Sequence, residues 1–363
     1  MDPSLLIPEP GMISVHWGWH KFFFILTFVL HLLFMNAMLG GTIIALVRSL
    51  KGKPQDIFVA KHISLKLPYA IAFTVNMGVA PLLFIQVLYG NFIYTSSLLM
   101  GWYWLSVIGI IIVAYYSAYL FDFKFDTLGF FRSISIAVCA VLMLIVAFLF
   151  TNNMTLMLTP EKWIQYFSNP KGTILNLQEF TLIPRYLHFV CASIAVGGLF
   201  LAIFGKIKTE KDVAANAVTE NHGYEKMILA GMQWFSHATL IQMIIGIWFA
   251  LTLPEDIMHL FLGGNSIATL LMVCVIASAG AALFFGFKNQ VWLSTGTVIF
   301  TIIAMVLVRD IVRTAYLKPY FSLSDLTIVP QYSPMIIFIV TLVAGMGLTG
   351  YMLKLATKRK EEA

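Results

Sequence analysis

Nine runs of apolar residues, each near the length a helix needs to cross a bilayer, organise this chain. They fall at about Phe22–Val47, Leu67–Tyr89, Tyr103–Phe121, Ile134–Phe150, Tyr186–Phe204, Met227–Leu251, Ser266–Phe285, Trp292–Val308 and Ile336–Leu353. In hydrocarbon a backbone must satisfy its own polar groups, which segments of this length do by forming helices. Composition agrees: 60% of the 363 residues are hydrophobic and only 11% charged, too few to cover a soluble globule. The sequence therefore predicts an all-α, polytopic membrane helical bundle of about nine transmembrane helices. We read 1–363 as one membrane-embedded domain: a first four-helix bundle over 1–151, an outer amphipathic connection over 152–183, and a five-helix second half over 184–355.

An odd number of spans places the termini on opposite sides. The segments after spans one, three, five and seven, with the C-terminal tail, carry 16 of the 23 basic residues, including Lys51, Lys53, Lys61, Lys66, Lys124, Arg132, Lys206, Lys211 and Lys358–Lys360. By the excess of Lys and Arg on the inner side, the C-terminus is expected in the cytoplasm and the N-terminus outside. The setting this implies is the cytoplasmic (inner) membrane of a bacterium or archaeon. The net charge of +6 thus belongs to residues flanking lipid and does not ask for nucleic acid. The first 20 residues have no basic stretch ahead of an apolar core, so no cleaved signal peptide is expected.

Two outward segments are long. Thr151–Ile183 interleaves Trp163, Tyr166, Phe167 and Phe180 with polar residues and reads as interfacial amphipathic pieces. Arg309–Ser333 begins with Arg309, Asp310 and Arg313, and these two segments are where an external partner would dock. The three cysteines, Cys139, Cys191 and Cys274, lie in apolar spans and form no CxxCH, so no covalent c-type haem is expected.

The histidines carry most of the chemical information. His62, His222 and His259 fall in links, where solvation accounts for them. His31, His188 and His237 lie within spans, where an ionisable side chain is costly and points to function by default. His16, His20 and His31 are offset by four and eleven residues, which returns them to one face of a continuous helix. Gly18 makes helix there uncertain, and Trp17 and Trp19 equally suit an interfacial anchor.

Haem iron held in a helical bundle needs imidazole or thioether ligands, small residues that admit the macrocycle, and cations for its propionates. His188 is followed by Ala192, Ser193, Ala195, Gly197 and Gly198, and His31 by Asn36, Ala37, Gly40 and Gly41. Met272 lies in the seventh span at a depth near that of His188, although methionine is also a common gap-filler. Arg309 and Arg313 stand where propionates would emerge. Asp310 is either a further iron ligand or an ion-pair partner of those arginines.

These residues resemble subunit I of the cytochrome bd-type quinol oxidases, collinearly over most of the chain. The stretch around His31 is similar to that around the family's first haem-ligating histidine. Asn76-Met77-Gly78-Val79-Ala80, followed by Phe84, Gln86 and Gly90, resembles its N-F-x-x-G-V-A segment. Leu187-His188-Phe189 and Leu271-Met272-Val273 look like the segments bearing the histidine and methionine ligands of its low-spin b haem, and Asp310-Ile311-Val312-Arg313 sits where the family has E-Y-G-R.

The departures matter as much. The third span contains no carboxylate, the motif glutamate becomes Asp310, and the outer link associated with quinol binding shrinks to Pro254–Asn265. Oxygen reduction needs protons carried inward by ionisable groups, so the resemblance implies a relative that kept haem and lost the oxidase reaction. The expectation is an electron-transfer subunit of a quinol:cytochrome c-type oxidoreductase. It would hold two or more b haems and pass electrons between the quinone pool and a periplasmic carrier such as a multihaem c-type cytochrome. His188 would ligate with Met272 or His237, and His31 with His20; His16 and His20 could instead face a partner's cofactor. Two other readings stay open: a true terminal quinol oxidase, and a haem-free membrane anchor for a redox complex.

Overall fold

The computed structural model describes residues 2–214 and 221–361, with the side chains of Lys211, His222, Lys354, Lys358, Arg359 and Lys360 outside the description. The helices are α1 Trp17–Lys51, α2 Pro54–Ser64, α3 Leu67–Leu88, α4 Gly90–Leu99, α5 Gly101–Phe123, α6 Phe131–Leu158, α7 Leu182–Ala214, α8 Asn221–Leu251, α9 Glu255–His259, α10 Ser266–Phe287, α11 Val291–Leu317 and α12 Tyr332–Glu361. Among the described residues eight of them, α1, α3, α5, α6, α7, α8, α10 and α11, are long and apolar enough to cross a membrane. The ninth expected span is α12, whose described apolar part is Tyr332–Gly345. The chain is an all-helical, multi-pass membrane bundle.

Local chemistry sets the helix ends. Nδ1 of His16 accepts the Gly18 N–H at 3.1 Å and so caps α1, satisfying a donor the first turn would otherwise strand. At the other end Gly52 takes φ +68°, a left-handed position that glycine enters without Cβ strain. Pro54 and Pro68 sit in the first turns of α2 and α3, where their missing N–H costs nothing.

The spanning helices form two four-helix bundles with the same connectivity. In the first, α1 packs on α3 and α6, and α5 packs on the same two helices, so α1 and α5 stand diagonally. In the second, α7 packs on α8 and α11, as does α10. The halves meet along α1 and α7, where glycines allow close approach: a Cβ on Gly197 would lie 2.5–2.7 Å from the backbone of Gly40. The α7–α8 contact is built likewise, a Cβ on Gly198 falling 2.7 Å from the Gly231 carbonyl oxygen.

Two expected boundaries move. Hydropathy ends the fourth span at Phe150, but α6 continues to Leu158 because its buried polar residues find partners. Asn153 Nδ2 donates to Ser97 Oγ at 3.2 Å, and Asn152 Oδ1 accepts the Asn176 N–H at 3.1 Å. In the same way α11 runs to Leu317, so Arg309, Asp310 and Arg313 lie within a helix and not in a free outward segment.

The connection after α6 forms a short helix, Pro160–Phe167, with one buried and two exposed aromatic side chains. Trp163 is buried, with Nε1 donating to the Leu156 carbonyl at 2.8 Å, while Tyr166, Phe167 and Phe180 are exposed. Ile13 exchanges backbone hydrogen bonds with Thr327 and Val329, tying the N-terminal segment to the stretch after α11 over the same end of the bundle.

Candidate functional site: two histidines beneath buried arginines

His31 and His188 occupy matching places. Each precedes the glycine of the α1–α7 crossing by nine residues, Gly40 in one case and Gly197 in the other, so both lie about 13.5 Å from that crossing toward the N-terminal end. Each ring lies over a glycine of the next spanning helix by its Nδ1–Cε1 edge. A Cβ on Gly78 of α3 would sit 2.9 Å from His31 Cε1 and 3.1 Å from Nδ1; one on Gly246 of α8 would sit 3.1 Å from His188 Cε1 and 3.4 Å from Nδ1. Nδ1 of His31 is 3.1 Å from the Thr74 carbonyl oxygen, one turn before Gly78. The carbonyl one turn before Gly246 is that of Gln242, and it is the acceptor facing His188; the Nδ1 of His188 is buried and has no partner within bonding geometry.

The other expected ligands are arranged unevenly. Met272 is six residues into α10, as His188 is six residues into α7, so the two are level on diagonal helices of one bundle. Met272 packs against the α9–α10–α11 cluster that includes Val308 and Val312. The structure does not bring His237 to His188: it is exposed, its Nδ1 is 2.7 Å from the Gln233 carbonyl of its own helix, and its ring meets Phe287. Nine residues separate it from Gly246, a turn of about 900°, which puts it on the opposite face of α8 and about 13.5 Å away along the axis.

The three-histidine stripe on α1 is reduced to two. His16 has φ −53° and ψ 133°, outside the helix, and spends its Nδ1 on the cap. His20 remains on the helix, 6.2 Å from the Phe84 ring, with Nε2 buried and unpartnered.

Above the histidines, toward the N-terminal end, cations converge. Lys21 Nζ is 2.7 Å from Asp310 Oδ2, and Arg313 donates to Asp310 Oδ1, so both carboxylate oxygens are engaged in ion pairs. This is the ion-pair arrangement for Asp310, its partners lying on α1 and α11. Arg313 is 3% exposed and lies between the rings of Phe24 and Tyr89, at 4.7 and 4.8 Å. Arg309 covers Phe28 at 4.5 Å, and Phe28 in turn neighbours His31. Arg185, three residues before His188, covers Phe249 at 5.0 Å, whose ring neighbours His188.

These guanidiniums are under-satisfied. Arg185 Nε and Nη2 and Arg313 Nε and Nη1 are buried without partners, as is the Tyr316 hydroxyl. Each such group costs about 1–3 kcal/mol, more when charged, unless something accepts its hydrogen bond. Lys21 and Arg313 pair with the buried carboxylate of Asp310, Arg309 lies near Arg313 and Asp310, and Arg185 lies near Glu179; the four cations outnumber these two acids, and the unpartnered guanidinium donors suit an anionic ligand.

A group with carboxylates and an iron atom fits this donor set: imidazoles below, guanidiniums above. Among the described residues no three His, Cys, Asp or Glu side chains cluster as a metal site, but haem iron asks the protein for only one or two ligands. Sequence reasoning passed over Arg185, Lys21 and Gly246, and met Gly78 only as part of a resembling segment. Their signal was present: His31 and His188 share the pattern H-x8-G-G, an internal repeat that marks equivalent helices. No protein-family model matches the chain, and no curated protein matches it.

Proposed function

We propose that the chain is a membrane cytochrome b subunit that passes electrons between the quinone pool and a redox partner docked on its outer face. The observation that supports this most is the pairing of two level histidines, each on a glycine of the neighbouring helix, with buried arginines whose donors lack acceptors. His31 and His188 would each present a ring nitrogen to iron, and Met272, at a similar depth on the diagonal helix, would be the second ligand beside His188. Bound haem supplies a reversible one-electron iron centre. Arg185, Arg309 and Arg313 would accept the propionates or a quinone head group, and Asp310 with Lys21 would hold Arg313 in place. Trp102, Trp104 and Tyr316 would flank a path for electrons at the outer end. The excess of basic residues at the other end supports the N-terminus outside and a cytoplasmic membrane setting.

The test is a pyridine haemochrome assay with dithionite-reduced minus oxidised spectra on the purified chain. About two b haems per chain with sharp bands insensitive to carbon monoxide support the reading. A long-wavelength d-type band or a large carbon monoxide shift would replace it with an oxidase, and absence of haem from protein produced with haem supplied would leave a membrane anchor.

A further inference from the structure

We infer that Gly78 and Gly246 are positioning residues: by lacking a Cβ, each lets its histidine lie by its Nδ1–Cε1 edge on the neighbouring helix, where the Thr74 carbonyl holds Nδ1 of His31, and leaves Nε2 as the ligand to a bound metal group. This rests on the haem reading above and extends it to two equivalent sites made by an internal repeat.

Three independent features agree. The rings contact the two glycines by the same edge and in the same order of atoms, Cε1 nearest and Nδ1 next. In α3 the acceptor carbonyl, Thr74, is four residues before the glycine, so the His31 imidazole shares a carbonyl that also belongs to the helix ladder, and Gln242 holds the equivalent place before Gly246 in α8. The flanking helices repeat too: H-x8-G-G recurs at 31 and 188, and the crossing of α1 on α7 uses the equivalent glycines of both copies. A hydrogen bond from Nδ1–H to a carbonyl fixes the tautomer and ring orientation of a ligating histidine and raises its basicity as a ligand.

The arrangement also explains why the glycines are needed there. A methyl group at Gly78 would come within 2.9 Å of the His31 ring, closer than carbon atoms approach without something shifting. The ring would have to lift from the helix, lengthening the 3.1 Å contact to the Thr74 carbonyl. At Gly246 the clash is milder, 3.1 Å, so the same change should be better tolerated.

The experiment uses the full chain with Gly78→Ala and Gly246→Ala as single variants. Haem content, redox titration of the reduced-minus-oxidised band and low-temperature EPR are compared with the parent. The expected result is haem retained, with one low-spin component shifted in midpoint and g-values by Gly78→Ala and the other by Gly246→Ala. Parent-like spectra in both variants, or both components shifting together in each, would overturn the inference.

A second readout does not depend on haem. In histidine-labelled, haem-free protein, nitrogen NMR should show His31 as the Nδ1–H tautomer, assigned by its loss in His31→Gln, and Gly78→Ala should raise the Nε2–H form. An Nε2–H tautomer at His31 in the parent would sink the positioning role even if haem binds. The correct tautomer in a chain that binds no haem would uphold the cradle and remove the cytochrome. If Gly78→Ala does not accumulate, Gly246→Ala with His188→Gln carries both readouts.

Discussion

The Ser193 hydroxyl donates to Asn36 Oδ1 at 2.8 Å, and these partners are each other's equivalents. Each follows a histidine by five residues and precedes a crossing glycine by four. A hydrogen bond between equivalent positions is what a two-fold relation between repeated halves produces at its axis, where a residue meets its own counterpart. The axis therefore passes between α1 and α7 and sets His31 and His188 level on either side of it.

Substitutions at this crossing should separate packing from hydrogen bonding. Ser193→Ala removes one interhelical bond, worth about 0.5–2 kcal/mol within a membrane, and should lower the thermal midpoint in detergent only slightly. Gly197→Leu forces a side chain into the backbone of Gly40 and should cost about 3 kcal/mol or more. Its expected signature is loss of the monodisperse peak in size-exclusion chromatography, which Ser193→Ala keeps.

Histidine replacement should divide the spans by face. His31→Ala and His188→Ala are each expected to remove a different spectral component, roughly half the haem, from the haemochrome assay. His237→Ala should leave the haem content unchanged, because that side chain points away from the Gly246 face. Loss of haem in His237→Ala alone would reassign the ligand set.

The role of Asp310 can be read from what its removal spares. Asp310→Asn leaves Lys21 and Arg313 without their shared carboxylate in a buried setting, a change that costs about 3–5 kcal/mol for broken buried pairs. Lys21→Met, which leaves the carboxylate paired with Arg313, should cost less. Both should retain haem in proportion to folded protein. Parent-like stability with haem lost in Asp310→Asn would instead make it a ligand.

How much of this could be read beforehand follows from what the bilayer enforces. The type of the elements and eight of the nine expected spans were legible because hydrocarbon leaves a backbone few options, and the run lengths carry that constraint directly. Helix ends were not, since hydropathy stops at Asn152 or Arg309 whereas the helix continues wherever such residues find partners. His31 and His188 stood out by depth alone. The irrelevance of His237 to them depends on which face of α8 meets α7, and that is fixed by Gly198 and Gly231, residues with no chemistry to attract notice. Arg185 drew no reading from the sequence because the ring it covers, Phe249, is 64 residues away.

The orientation of the bundle is testable through loops at its two ends. Ser168 and Thr127 are both exposed, one in the connection after α6 and the other in the turn between α5 and α6. These turns flank opposite ends of α6, so in a membrane they face opposite compartments. The basic residues cluster with Thr127, near Lys61, Lys66, Lys124 and Arg132, and translocating such a cluster outward is disfavoured. A membrane-impermeant maleimide added to intact cells should therefore label Ser168→Cys and spare Thr127→Cys until the membrane is permeabilised. Cys139 is buried, and Cys191 and Cys274 lie within spans, so the parent chain supplies the background. The opposite labelling pattern would turn the arginine pocket toward the cytoplasm, and with it the side from which a redox partner could reach the histidines.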